Sequence, residues 1–201
     1  MKHRRVRPPR RAWAARAGEV ALVAVVVLVA GFLVRTFVVA PFSIPSRSMT
    51  ETLQVGDRIL VDRLSARFRD VRRGEIVVFD GTDTFGALDG SRSAGETDYV
   101  KRVIGVGGDR VVCCDDRGRL TVNGEPVDEE AYLYPGDKPS ELRFDVRVPE
   151  GRLWVMGDHR SSSRDSRAFL GAPGGGTIPA DDVIGPVLAV VWPLSRLGGV
   201  P

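Results

Sequence analysis

Three hydropathy patterns succeed one another along this chain of 201 residues. The first is the uncharged run at residues 20–34, VALVAVVVLVAGFLV, apolar on every face of a helix. A helix needs about 20 residues to cross a bilayer core of roughly 30 Å. The span is therefore predicted over residues 17–40, with Glu19 and Arg35 near its ends. The second pattern is short β-rich runs separated by turns, which read as strands. It predicts strands at residues 58–62, 75–80, 99–105, 110–114, 120–123, 143–148, 153–156 and 183–191. The last of these is too short for a second span and reads as a closing strand. Between Val122 and Glu125 stands Asn123-Gly124, the dipeptide that favours a tight hairpin. The third pattern is polar and rich in glycine, at residues 82–97 and 171–176, and predicts loops.

Composition supports a folded protein richer in strands and loops than in helix, with 43% hydrophobic residues, 23 Gly and 13 Pro. The net charge of +3 suggests a nucleic-acid partner until its location is considered. Residues 1–16 carry seven basic side chains and no acidic one, which leaves 22 basic against 26 acidic residues elsewhere. The basic character belongs to an N-terminal arm, and no nucleic-acid surface is expected on the body. A basic arm before an apolar run places the arm in the cytoplasm and everything after residue 40 outside. Val38-Val39-Ala40 resembles a leader-cleavage site, but Pro41 would occupy the scissile bond, so the segment is read as a retained anchor. Two cysteines, the adjacent pair Cys113-Cys114, match no zinc spacing. They are read as structural or free.

Candidate chemistry lies in three segments. Just past the anchor comes Pro45-Ser46-Arg47-Ser48-Met49, whose serines need a nearby base to become nucleophilic. His3 is excluded by topology, leaving His159 or a lysine of lowered pKa. Tyr99, Lys101 and Val103 share one face of a predicted strand. If that face is buried, the Lys101 amine loses hydration and its pKa falls toward neutrality. The third segment, residues 156–167, is a polar loop after an apolar strand.

Taken together, the three segments resemble the bacterial type I signal peptidases. Pro45-Ser46-Arg47-Ser48-Met49 is similar to their Ser-x-Ser-Met box. Lys101-Arg102-Val103-Ile104-Gly105, followed by Gly107-Gly108-Asp109, is similar to their lysine box. Gly157-Asp158-His159-Arg160 with Ser163, Asp165, Ser166 and Arg167 resembles their Gly-Asp-Asn-Arg…Ser-x-Asp-Ser-Arg box. Glu51 stands where many members have proline, and His159 where asparagine is usual. The resemblance implies Ser48 as nucleophile, Lys101 as general base, and the Ser46 hydroxyl with the Ser48 N–H as oxyanion hole. It further implies Ser163 as the group orienting the Lys101 amine, and Asp165 with Arg167 as a buried ion pair shaping the site. No metal or other cofactor is implied.

The fold it implies is mainly β. An N-terminal transmembrane helix is followed by an antiparallel catalytic body, residues 41–107 and 149–201, with a smaller inserted β lobe at 108–148. Expected partners are the lipid bilayer and exported precursors bearing signal peptides that end in Ala-x-Ala-like sites. The expected location is the cell membrane, with a single pass and a monomeric chain. A self-cleaving repressor of the LexA kind is a second reading, but the anchor stands where its DNA-binding helices would be. An idle, membrane-tethered β domain is a third, and it predicts loss of Ser48 or Lys101, both of which are present.

Overall fold

The computed structural model describes residues 10–86 and 97–201. The basic arm is described only from residue 10 onward, and residues 87–96 of the predicted polar loop lie outside the described residues. The chain divides into two units, at the junction of Val38 and Val39.

The first unit holds helix α1, Arg10–Phe37. Within it, Val20, Leu22, Val23, Leu28 and Phe32 are each more than half exposed. Among the described residues, no helix is long and apolar enough to cross a membrane. The helix also ends before the expected boundary at residue 40. Pro41 explains this, because in a continuing helix its ring would meet the carbonyl of Phe37, four residues back. Val39 and Ala40 instead open strand β1, Val39–Ser43.

The second unit is mainly β, and all its strand pairs are antiparallel. The remaining strands are β2 (Arg58–Asp62), β3 (Ile76–Asp80), β4 (Asp98–Val106), β5 (Arg110–Cys113), β6 (Leu120–Val122), β7 (Glu125–Pro126), β8 (Phe144–Arg147), β9 (Arg152–Met156), β10 (Ile178–Pro179), β11 (Val183–Trp192) and β12 (Gly198–Gly199). Eight of them form one sheet in the order β1-β2-β11-β3-β4-β9-β10, with β12 also on β11. The other four form a second sheet, β7-β6-β5-β8. Because β4 pairs with β9, this second sheet is built from chain inserted between two neighbouring strands of the first.

The large sheet is buried on both faces at its centre, which is why β3 reads Ile-Val-Val-Phe rather than alternating. Ile76 and Val78 point into a core with Ile44, Met49, Leu53, Ile59, Val61, Val187 and Val190. Val77 and Phe79 point the other way, onto Phe85, Val103, Leu153, Val155, Phe169 and Ile178. A third core joins the sheets, with Val111, Leu120, Val122 and Phe144 against Ile104, Trp154 and Met156. The predicted hairpin is present: Val122 pairs with Glu125, and Asn123 and Gly124 take φ of 56° and 87°. Both positive values are what the tight turn requires. The two cysteines are joined to each other, β5 ending at the first of them.

Candidate active site

β1 is an edge strand, where Pro41 leaves no ladder bond unmade. After it, Ile44 exchanges main-chain bonds with the turn before β2: its N–H donates to Asp57 and its carbonyl accepts from Gly56, both at 2.9 Å. Residues 47–53 then form turns closed by Thr50 N–H to the Arg47 carbonyl (3.1 Å) and Leu53 N–H to the Met49 carbonyl (2.7 Å). Met49 and Leu53 sink into the core and pin the turns from below. Ser48 is left at the rim, only 6% exposed.

Lys101 lies on β4 opposite Val77, on the same buried face as Tyr99 and Val103. It is 4% exposed. Its Nζ donates to Ser48 Oγ at 2.8 Å and to the Val100 carbonyl at 3.0 Å. Burial lowers its pKa to about 8, against the opposing pull of Asp165 and Asp158. Ser46 Oγ lies 3.3 Å from Ser48 Oγ. A cleft of about 610 Å³ opens in front of these groups, lined by residues 41–46, Ser48, Met49 and 98–101.

The third segment closes the site from behind. Gly157 has to be glycine: a Cβ there would collide with Ser163 Oγ and the Ser48 carbonyl oxygen. Its N–H donates to Asp165 Oδ2 at 2.9 Å. Asp165 also accepts from Arg167 Nε and a terminal guanidinium nitrogen, each at 2.8 Å. Burial alone would raise the Asp165 carboxyl, but Arg167 and the Gly157 N–H hold it below the ordinary carboxylate range. His159 meets Ser48 through its main chain, its N–H donating to the Ser48 carbonyl at 3.1 Å. Among the described residues, no group of three or more His, Cys, Asp or Glu side chains is arranged to hold a metal.

The family model described as "Signal peptidase, peptidase S26" matches residues 17–192. The probable signal peptidase I of Mycobacterium leprae is 39% identical, with 90% of this chain and 78% of that protein covered. Signal peptidase I of Mycobacterium tuberculosis H37Rv is 38% identical, over 96% of this chain and 78% of that one. The probable signal peptidase I-2 of Synechocystis is 35% identical, over 95% and 78%. The chain belongs to the signal peptidase family, peptidase S26. It is a serine endopeptidase of the signal peptidase I type.

Within this signal peptidase, the structure brings Ser46, Ser48 and Lys101 together, and sets the Asp165–Arg167 pair behind them. Ser163 differs from its expected place. Its hydroxyl is buried but makes no hydrogen bond to the Lys101 amine, whose partners are Ser48 Oγ and the Val100 carbonyl. A second buried pair went unrecognised in the sequence. Arg102, next to the lysine, grips both carboxylate oxygens of Asp158 at 2.9 and 2.8 Å. Asp158 also accepts from the Thr52 hydroxyl at 2.6 Å. One carboxylate thus ties the Ser48 turn to the strand of Lys101. The signal for it was Arg102 itself, a second cation beside Lys101 on a strand whose next residues, Val103 and Ile104, are apolar. Ile44, only 4% exposed, packs into the core of the body, with the half-buried Phe42 against it.

Proposed function

We propose that this signal peptidase cuts its precursors through an acyl-enzyme formed on Ser48, with Lys101 as the general base. The observation that carries the reading is the 2.8 Å bond between two buried groups, Lys101 Nζ and Ser48 Oγ. A neutral amine at that distance takes the serine proton as the oxygen attacks the scissile carbonyl. The leaving amine departs with a proton, and Lys101 then activates the water that hydrolyses the ester. The developing oxyanion is held by the Ser48 N–H, which faces no acceptor among the described residues, and by the Ser46 hydroxyl. The Asp165–Arg167 pair keeps the wall behind Lys101 in place.

The substrate lies extended in the cleft beside β1, adding a strand to that open edge. Main-chain pairing accepts many sequences alike, and shallow apolar pockets select small residues, as in Ala-x-Ala. The apolar helix anchors the chain, with the span running over residues 17–38 once the strand boundary is allowed for. Its large apolar side chains are exposed on all sides, and such a helix requires lipid or another apolar partner. The arm of residues 1–16 then faces the cytoplasm and the β body lies outside. Residues 108–148 make up the smaller lobe on that body.

The test is cleavage of a precursor ending in Ala-x-Ala by the detergent-solubilised chain, with the cut mapped by mass spectrometry. A single cut after the last alanine, lost in folded Ser48→Ala and Lys101→Ala, is expected. Cleavage that survives Lys101→Ala but disappears in His159→Ala would move the base to His159.

A further inference from the structure

The connection from β7 to β8, residues 127–143, belongs to the second sheet and yet reaches both the strand of Lys101 and the polar segment after β9. The Glu129 carboxylate takes the buried Arg160 guanidinium. The Tyr132 ring lies under the Arg102 guanidinium, 4.0 Å from its centroid. Tyr134 stacks on the His159 ring, with centroids 3.8 Å apart and planes 12° from parallel.

The third contact touches the nucleophile. The Tyr134 N–H donates to the Asp158 carbonyl at 3.0 Å, and the His159 N–H donates to the Ser48 carbonyl at 3.1 Å. That carbonyl and that N–H are the two ends of one peptide unit. The unit is planar, and its C=O and N–H point in opposite directions. A single rigid plate therefore has Tyr134 on one side and Ser48 on the other. The hydrogen bonds at its two ends polarise each other in the same sense. The stacked rings resist rotation of the plate, because any swing of His159 must carry its ring off Tyr134. The His159 ring needs such a restraint, since its buried Nδ1 has no hydrogen-bond partner among the described residues to fix it.

We propose that Tyr134 is a positioning residue for catalysis: by stacking on His159 it fixes the 158–159 peptide plane, and through it the main chain of Ser48. The inference rests on Ser48 being the nucleophile. Tyr134 does not line the cleft of residues 41–46, 48, 49 and 98–101, so it acts on the chemical step and not on substrate capture there. Misplacing a reacting group by about 1 Å can cost on the order of 10²-fold in rate. The second sheet would then be a brace for the nucleophile as well as an attachment to the body.

The experiment compares the full chain in detergent with Tyr134→Leu, Tyr134→Phe, His159→Ala and the Tyr134→Leu/His159→Ala double variant, on one precursor. Tyr134→Leu should lower kcat by about tenfold or more and leave KM within about twofold. Tyr134→Phe keeps the stack and should restore most of that loss, and the double variant should be no worse than the poorer single one. Wild-type kcat in folded Tyr134→Leu would overturn the proposal, as would Tyr134→Phe as poor as Tyr134→Leu, or losses that multiply in the double variant. Should Tyr134→Leu not fold, His159→Ala against Tyr134→Phe reads the same contact from its other side. Ser48→Ala separates the two levels. Activity surviving in it removes the nucleophile, and the inference with it; an inactive Ser48→Ala beside a fully active Tyr134→Leu removes only the inference.

Discussion

Replacing Lys101 by methionine should inactivate this signal peptidase and stabilise it at neutral pH. The lysine pKa falls from an ordinary 10.5 to about 8 because burial penalises the ammonium form. At about 1.4 kcal/mol per pH unit, holding that charge inside costs about 3 kcal/mol at pH 7. The amine returns two hydrogen bonds, to Ser48 Oγ and the Val100 carbonyl, each contributing about 1 kcal/mol. Methionine keeps the length of the stem and removes both terms, so Lys101→Met should be the more stable by about 1 kcal/mol. The pH dependence is the sharper signature. The folded pKa lies below the unfolded one, so between about 8 and 10.5 the unfolded chain binds more protons, and stability attributable to Lys101 rises through that window. Between pH 7 and pH 10 the wild type should gain about 2–3 kcal/mol relative to the variant. Denaturant unfolding at successive pH values, followed through the buried Trp154, measures the difference, and other titrating groups cancel in it. Stability profiles that run parallel in the two proteins would show that burial does not neutralise Lys101, and the general-base assignment would lose its physical ground.

The rate of precursor cleavage should climb as pH rises through about 8 and then level off, since only the neutral amine accepts the Ser48 proton; a rate that stayed flat through that range would contradict this. Gly157→Ala places a Cβ against Ser163 Oγ and the Ser48 carbonyl, and acylation by a serine-directed inhibitor should slow by about 100-fold. Undiminished labelling would mean that the two segments yield without cost. Arg167→Met leaves the Asp165 carboxylate buried with one strong partner fewer, and should lower unfolding stability by about 3–5 kcal/mol. A midpoint unchanged from the wild type would refute that pairing energy.

How much of this was legible beforehand depends on whether a residue's setting is local. Short β-rich runs between turns located eight strands to within a residue or two, because each run carries its own buried side chains. Strand β1 was missed since Val39 and Ala40 continue an apolar run, and only the pairing with β2 distinguishes strand from helix end. The strands β7, β10 and β12 are two residues each, too short to hold a period. In the site, the burial of Lys101 followed from its parity with Tyr99 and Val103, and its lowered pKa follows from burial alone. Ser163 escaped that logic, because where a loop hydroxyl points is not set by strand parity, and its oxygen is buried without a bond to the amine. Tyr134 escaped more completely. Its partner His159 lies 25 positions along the chain and on the other side of two strands, and no periodicity connects a ring in a connection to a ring in a loop. On the proposed mechanism, the base is set by the strand that carries it, whereas the proposed brace makes the placement of the nucleophile depend on chain inserted from elsewhere. Substitutions on β4 should consequently act through the state of the proton, and substitutions at 129–140 through the geometry of attack.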